Sequence, residues 1–358
     1  MKQFLLRDTL IYLNDTSFNS INKWMNSNNF DNVFIIVDKN TNIHCLPILL
    51  KHVPLLKSSF IITIDPGEAS KSIEKVHAIC SCLINKNITR HSLIINLGGG
   101  VVCDLGGFVA SIIKRGVQFI NIPTTLMSQI DAAIGGKVAV NLQHYKNQIG
   151  LFVNPQIIFI YIPFLLSLSN DELLSAQAEI FKYGLIYDKL LWEKCKLESD
   201  SKIMNFENMI SDCIRIKIKI VESDYYDYQQ RRILNFGHSI SHAIESVFFS
   251  SKKQTISHGF ALSVGLICET YISYENFQFS SKKLNMIVNA ILSVFPKINL
   301  DKNLDEMILK YLKSDKKNQN GLYNFTLIKD VGVAVVNCSV SDIQIIHALD
   351  YYRKKCQT

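Results

Sequence analysis

The 358-residue sequence has little glycine, little proline and few charged residues for its length. With only 16 glycines and 7 prolines, it cannot be a collagen-like or linker-like chain. Charged residues make up 19%, below the roughly 25% of an average soluble protein. Hydrophobic residues make up 48%, too many for a disordered chain. We therefore expect a folded protein of about two domains.

Long hydrophobic runs and paired cysteines are also missing. No stretch of 18 or more apolar residues occurs, which argues against a transmembrane helix and a membrane partner. The opening residues, MKQFLLRD, carry charges before any long apolar run, so we expect no secretory signal. The nine cysteines are scattered, and the close pair Cys80 and Cys82 lacks zinc-ribbon spacing. Free thiols in the cytosol are therefore expected.

The charge balance is modestly positive, with 38 basic and 31 acidic residues and a net charge of +7. Nucleic-acid binding would need a concentrated basic stripe, and the sequence has none, so we expect no nucleic-acid partner. Two interpretations of the excess stay open. It is either compositional drift or a pocket for an anionic substrate.

Short apolar runs separated by helix-length segments fill the first half of the chain. They predict strands over 33–37, 59–64, 92–97 and 117–122. Nearly continuous apolar strands with such crossovers indicate a parallel sheet that is covered on both faces. We predict an α/β domain over 1–168.

Helical spacing dominates the second half, from which we predict a mostly α-helical domain over 169–358. The predicted helices are 171–185, 206–222, 232–249, 258–275 and 282–294. Turn signals at Asn320-Gly321 and Val331-Gly332 precede 322–328 and 333–336, and they predict one β-hairpin.

Two motifs follow predicted strands in the first domain. In Gly98-Gly99-Gly100, the glycines would let the backbone approach a pyrophosphate at a helix N-terminus. The motif lacks the GxGxxG pattern, and a tight strand-to-helix turn explains it equally well. In the second motif, 65–71, Glu68 could accept hydrogen bonds from a ribose or base, as could Asp38 after an earlier strand. A helix start with acidic residues in its first turn is the alternative.

A third motif runs from Pro123 to Lys137 and continues with Asn141, Lys146 and Asn147. Lysines and amides near glycine turns suit a phosphorylated or carboxylated ligand. A solvated loop would account for the lysines, but less readily for Asp131 among small residues.

The fourth motif concentrates histidines. His238 and His242 lie one turn apart on a predicted helix, His258 follows, and Glu179 is on another predicted helix. Two imidazoles and a carboxylate form a catalytic zinc set with an open position for substrate. Capping or core histidines are the alternative interpretation.

These four motifs, in this order, resemble the 3-dehydroquinate synthase family, from about Asp38 to 315–318. The matching segments are 98–100, 123–126, 135–137, 146–147, 178–184 and 234–245. The resemblance implies a Rossmann-like NAD-binding N-terminal domain and a mostly helical metal- and substrate-binding C-terminal domain. It also implies a homodimeric NAD- and metal-dependent lyase of the shikimate pathway. Such an enzyme converts 3-deoxy-D-arabino-heptulosonate 7-phosphate into 3-dehydroquinate and phosphate.

The resemblance also assigns roles to residues. Glu179, His238 and His258 would bind zinc or cobalt. The residues around NAD would be Asp38, Glu68, Lys71, Gly99, Gly100, Asp104, Thr124, Thr125, Asp131, Lys137 and Lys146. The residues around the substrate would be Lys137, Asn147, Lys182, Lys217, Arg231, Asn235 and His242, with one of Lys316 and Lys317. Arg115 would reach a phosphate across a dimer interface. Spacing alone makes His242 a ligand candidate, whereas the resemblance makes it a proton-relay group near the phosphate.

Some positions depart from the family pattern, and none is a predicted metal ligand. They are Cys103, Val138-Ala139, Tyr225, Gln229 and Phe260. Because Phe260 and Val138 are expected nearest the site, we expect them to affect affinity or rate and not the reaction type.

Four alternatives remain. The first is a sister sugar-phosphate cyclase that acts on sedoheptulose 7-phosphate or glucose 6-phosphate, and the second is a polyol dehydrogenase that releases NADH. An inactive homologue and a nucleic-acid-binding module complete the set.

Overall fold

The computed structural model describes residues 2–14, 18–143, 145–197, 206–251, 256–313 and 323–357. These residues form two compact units. The first contains the chain up to Ser169 together with 206–222, and the second contains the remainder. The assignment of domains to 1–168 and 169–358 stays a prediction. None of the described helices is long and apolar enough to span a membrane.

A seven-stranded sheet is the centre of the first unit. Its strands are β1 (Lys2–Leu6), β2 (Thr9–Leu13), β3 (Val33–Asp38), β4 (Phe60–Ile64), β5 (Leu93–Gly98), β6 (Gln118–Pro123) and β9 (Ile157–Ile160). They lie in the order β1-β2-β9-β6-β5-β3-β4. Only the pair β1–β2 is antiparallel in this sheet. The four predicted strands are β3 to β6, and the predicted α/β fold class is confirmed.

The central strands of this sheet are mostly buried on both faces, which explains their continuous apolar runs. Side chains alternate between the faces of a strand. Phe34 and Ile94 accordingly belong to one apolar core, whereas Ile35 and Ile95 belong to another. All six residues of β5 are buried. A strand in this position needs apolar residues at successive positions.

The first unit also contains several helices and a hairpin. The helices are α1 (Asn19–Asn26), α2 (Lys39–His44), α3 (Leu46–His52), α4 (Ile73–Asn85) and α5 (Gly100–Ile112). The antiparallel hairpin consists of β7 (Lys137–Leu142) and β8 (Tyr145–Phe152).

The later helices divide between the units. They are α6 (Asn170–Ile186), α7 (Lys189–Leu197), α8 (Phe206–Ser223), α9 (His238–Ser251), α10 (His258–Phe277), α11 (Ser281–Val294), α12 (Asp305–Lys313) and α13 (Asp342–Gln357). Helix α8 belongs to the first unit through Glu222. There, Asn14 Nδ2 donates to Glu207 Oε2 at 3.1 Å, and Lys2 Nζ donates to Asn208 Oδ1 at 3.1 Å.

The second unit is mostly helical, as predicted, and contains the predicted hairpin as β10 (Tyr323–Asp330) and β11 (Val333–Val340). Gly332 turns this hairpin with a φ of 84°. Asn320-Gly321 lies outside the described residues.

One predicted boundary was wrong. The helix expected from residue 232 begins at His238. Gln230–Asn235 forms a 3₁₀ segment instead, and Gly237, with a φ of 81°, lies between that segment and the helix.

Gly106 on α5 packs directly on the sheet, and a Cβ there would lie 1.9 Å from the buried Asn96 Oδ1. We expect Gly106→Ala to lower the free energy of unfolding by about 1–3 kcal/mol through overpacking. Urea unfolding followed by circular dichroism would measure the change. Ser111→Ala in the same helix is the control, with an expected change within about 0.5 kcal/mol. Equal stability of Gly106→Ala and wild type would contradict this packing.

Candidate active site

The glycine turn lies where β5 ends and α5 begins. Gly99 is the N-cap of α5, and no described side chain caps this helix. A Cβ on Gly99 would lie 2.9 Å from Thr125 Cγ2, so the backbone is close to the segment after β6. The Thr124 amide donates to Gly98 O at 3.0 Å. Thr124 Oγ1 is buried and has no hydrogen-bond partner among the described residues. An uncapped helix N-terminus beside such a hydroxyl fits a dinucleotide's pyrophosphate.

The two candidate ribose acceptors already have protein partners. Asp38 caps α2, where it accepts from the Thr41 amide at 2.8 Å. Capping alone therefore accounts for an aspartate at this position. Glu68 Oε1 accepts from Asn141 Nδ2 at 2.8 Å. Both carboxylates follow strands of the sheet at its carboxyl edge, where open α/β sheets bind ligands.

Lys71 joins two other candidate residues. Its side chain is 5% exposed, and its Nζ lies 2.5 Å from both Asp104 Oδ2 and Asn147 Oδ1. Burial raises the pKa of Asp104, although Lys71 opposes this effect. The structure thus brings together three candidate residues that are far apart in the sequence.

A second buried lysine, Lys217, forms an ion pair with Asp131. Asp131 lies in a single π-helical turn, Ser128–Ala132, and Lys217 lies on α8. Isolated π turns occur frequently at functional sites.

Three helices position the metal-ligand candidates. Glu179 is buried on α6, whereas His238 and His258 are the first residues of α9 and α10. Glu179 Oε1 lies 3.2 Å from His238 Nε2 and 3.3 Å from His258 Nε2. One donor atom from each residue lies within 4.8 Å of the others.

The outward-facing nitrogens of both rings have acceptors. His238 Nδ1 lies 3.2 Å from Phe236 O, and His258 Nδ1 lies 2.7 Å from Glu245 Oε1. A carbonyl or carboxylate can only accept, so each Nδ1 can serve as the donor of its ring. In the neutral tautomer with hydrogen on Nδ1, Nε2 is the nitrogen that would bind a metal. This donor set fits a divalent metal such as zinc.

Glu179 is 1% exposed and also pairs with Lys182 on the same helix. Burial alone would raise the pKa of Glu179, but Lys182 and the two histidines hold it well below its usual range. Burial lowers the pKa of His238. Burial also acts to lower the pKa of His258, but hydrogen bonds to Glu179 and Glu245 outweigh this and raise it to about 10.

Some cations of the candidate site are neutralised within the protein. Lys182 pairs with Glu179, and Lys217 pairs with Asp131. The Arg231 side chain is buried, and its Nη1 donates to Tyr225 O at 2.6 Å. Carboxylates thus offset the charge of each of these two lysines.

Other candidate residues lie nearer the surface. His242 is exposed, with its ring centroid 5.3 Å from that of His238. Arg115 is exposed in a turn with a φ of 65°, and Asn235 ends the 3₁₀ segment before α9. Lys137 and Lys146 are exposed at the two strands of the β7–β8 hairpin. Lys316 and Lys317 lie outside the described residues.

Val138 packs under α5. It is buried in the apolar core, and a Cβ on Gly107 of α5 would lie 2.5 Å from Val138 Cγ1. Its effect on affinity or rate stays a prediction. Phe260 lies in the first turn of α10, two residues after His258.

Glu245 received no role from the sequence, although it orients His258. It lies on α9, seven residues after His238 and three after His242. That spacing places all three on one helix face, which is the signal that could have identified it.

Two consecutive family models match the chain. They describe the N-terminal domain of 3-dehydroquinate synthase over residues 61–175 and its C-terminal domain over 176–318. A 3-dehydroquinate synthase from Parabacteroides distasonis is 37% identical over 334 residues, which cover 92% of this chain and 94% of that protein. One from Clostridium perfringens is 40% identical and covers 76% of this chain and 77% of that protein.

Solved structures share the fold. A 2-deoxy-scyllo-inosose synthase, complexed with carbaglucose-6-phosphate, NAD⁺ and Co²⁺, has a TM-score of 0.84 at 22% identity. The match covers 97% of this chain and 98% of that one. ValA, a 2-epi-5-epi-valiolone synthase from Streptomyces hygroscopicus with NAD⁺ and Zn²⁺ bound, has a TM-score of 0.84 at 21% identity. That match covers 99% of this chain and 98% of that one.

The fold is therefore that of the sugar-phosphate cyclases. Within this class, the matched models and the identity over most of the chain are decisive: the chain belongs to the 3-dehydroquinate synthase family.

The buried pair of Glu179 and Lys182 generates a stability prediction. In metal-free protein, Lys182→Met leaves a buried carboxylate without its lysine and should lower the free energy of unfolding by about 3 kcal/mol. The double variant Glu179→Gln/Lys182→Met should recover most of the loss, because neither charge remains. Urea unfolding in the presence of chelator would measure both.

The matched control is Lys196→Met, since Lys196 and Glu193 form a pair of the same spacing at the surface. We expect it to cost less than about 1 kcal/mol. If Lys182→Met and Lys196→Met lowered the free energy of unfolding equally, the buried pair would contribute no more to stability than the surface pair.

Proposed function

We propose that this protein catalyses the conversion of 3-deoxy-D-arabino-heptulosonate 7-phosphate into 3-dehydroquinate and phosphate, as a carbon–oxygen lyase. The observation that carries the proposal is the convergence of His238 Nε2 and His258 Nε2 on the buried Glu179. The 37% identity to a 3-dehydroquinate synthase over 92% of the chain supports this substrate over those of the sister cyclases.

The cofactors follow from the same residues. Glu179, His238 and His258 would hold zinc or cobalt, and the glycine turn with Thr124 would hold the pyrophosphate of NAD. When bound, the metal polarises a substrate hydroxyl, and the dinucleotide supplies reversible hydride transfer.

The remaining residues of the site would bind the substrate and move protons. Lys182 and Arg231 are buried cations in the second unit, suited to the carboxylate and phosphate of the substrate. The carbonyl of Tyr225 orients the Arg231 guanidinium, and the Arg231 amide donates to Asp224 Oδ2 at 3.1 Å. Asn235 would add hydrogen bonds to hydroxyls. His242, exposed beside His238, would transfer a proton near the phosphate.

The first unit would contribute the dinucleotide contacts and further cations. Lys71 orders Asp104 and Asn147, while Asp131 orders Lys217. Lys137 and Lys146 are exposed and would bind anionic groups of the substrate or cofactor. These positions make an anionic sugar phosphate the expected partner, and the net charge of +7 favours its approach.

Phosphate release from 3-deoxy-D-arabino-heptulosonate 7-phosphate, with NAD and zinc, tests the reaction. We expect chelator-sensitive release without net NADH, because the hydride returns within each turnover. Glu179→Gln should reduce the rate roughly a hundredfold or more and lower the bound zinc measured by atomic absorption. Glu193→Gln, an exposed carboxylate, is the control and should behave as wild type.

Each other outcome has a distinct meaning. Release from a sugar phosphate without a carboxylate, and none from this substrate, would identify a sister cyclase. Net NADH accumulation would identify a polyol dehydrogenase. Absence of stoichiometric zinc together with absence of release would identify an inactive homologue.

We also propose a homodimer in which Arg115 serves the partner's substrate phosphate. Its exposure at a left-handed turn makes it available to a second copy. Mixing unfolded Arg115→Ala and Glu179→Gln chains, each inactive alone, and refolding them together should restore about a quarter of the wild-type rate, because one site of each mixed dimer is intact. Absence of recovery in mixed dimers would place Arg115 in its own subunit's site.

A further inference from the structure

Asn141 lies at an irregularity of the β7–β8 hairpin, where the register shifts between Val140 and Leu142. Such bulges redirect a side chain and occur frequently beside active sites. The Asn141 amide donates to Lys71 O at 2.8 Å, and Asn141 forms an isolated bridge with Ser72. The backbone thereby attaches this point of the hairpin to the segment before α4.

The side-chain amide of Asn141 uses both of its ends. Nδ2 donates to Glu68 Oε1 at 2.8 Å, and Oδ1 accepts from the Asn147 amide at 2.9 Å. Asn147 has a φ of 54°, a conformation that few non-glycine residues adopt. Asn141 thus supports Asn147 in its left-handed conformation and orients a carboxylate at the same time.

Lys71 closes the arrangement from the other side, because its Nζ contacts Asn147 Oδ1 and Asp104 Oδ2. Three separate segments are therefore joined: the loop after β4, helix α5 and the hairpin. Glu68, Lys71, Asp104 and Asn147 all belong to the proposed cofactor and substrate site. The resemblance assigns no role to Asn141.

We propose that Asn141 is a positioning residue for dinucleotide binding, acting through Glu68 and Asn147. This inference rests on the proposed function and on Glu68 as a candidate ribose acceptor for NAD. The site requires an amide at position 141, since a donor must face the Glu68 carboxylate and an acceptor must face the Asn147 N–H. Aspartate supplies only the acceptor, and alanine supplies neither.

NAD affinity measured by titration calorimetry tests the inference. Asn141→Ala should raise the Kd for NAD roughly fivefold to tenfold. Asn141→Asp should raise it at least as much, because two carboxylates would then face each other.

A second substitution distinguishes positioning from general support of the fold. Adding Glu68→Gln to Asn141→Asp restores a donor and an acceptor with reversed polarity. We expect the double variant to bind NAD more tightly than Asn141→Asp alone. A purely structural role for Asn141 predicts no such recovery.

Asn22→Ala is the matched control. Asn22 is also half-buried in the first unit, and its amide donates to Phe18 O and His52 O, joining two segments. We expect it to lower the thermal unfolding midpoint without changing the Kd for NAD.

The outcomes separate the inference from the proposed function. If wild type binds NAD and the Asn141 variants bind it equally well, the inference is overturned and the proposed function stands. If wild type fails to bind NAD with the metal present, both are overturned.

Discussion

A buried carboxylate, Glu179, connects three helices of the second unit. A carboxylate without solvent is costly unless positive or hydrogen-bonding groups surround it. Here Lys182 pairs with one oxygen, and the Nε2 atoms of two histidines approach the other. Both histidines begin helices, so α6, α9 and α10 are related through a single side chain. The negative charge of Glu179 makes its burial energetically unfavourable, and the same charge suits the site to a divalent cation.

The first unit applies the same principle with the opposite sign. Lys71 and Lys217 are buried cations, and each has a carboxylate partner close to the glycine turn or to the segment after β6. The paired carboxylates thus offset the energetic cost of burying these two lysines. Two solved structures of the same fold contain NAD⁺.

The sequence predicted the parts of the fold whose burial leaves a direct pattern. Strands β3, β5 and β6 are mostly buried on both faces, so 33–37, 92–97 and 117–122 are nearly continuous apolar runs. The run 59–64 belongs to the edge strand β4, which is partly exposed. It did not predict β7, because Lys137–Leu142 is a short strand with mixed burial inside a polar motif. The helix expected from residue 232 also failed, since Gly237 adopts a positive φ that composition does not reveal.

Within the site, the histidine spacing identified the residues that converge near Glu179. The partners of these residues were harder to predict, because they depend on tertiary contacts. Glu245 meets His258 across 13 residues of sequence, and Asn141 meets Glu68 across 73. The direction of the Val138 side chain likewise depends on how β7 packs under α5.

The path of the chain has a consequence for biosynthesis. The polypeptide leaves the first unit after Ser169 and returns to it with 206–222, which carries Lys217 to Asp131. The first unit is therefore discontinuous in sequence, whereas the sheet is complete when β9 has been made. A nascent chain can form the sheet early, but it acquires the Lys217–Asp131 pair only after α8 has left the ribosome. The sheet and the Lys217–Asp131 pair thus form at different stages of synthesis.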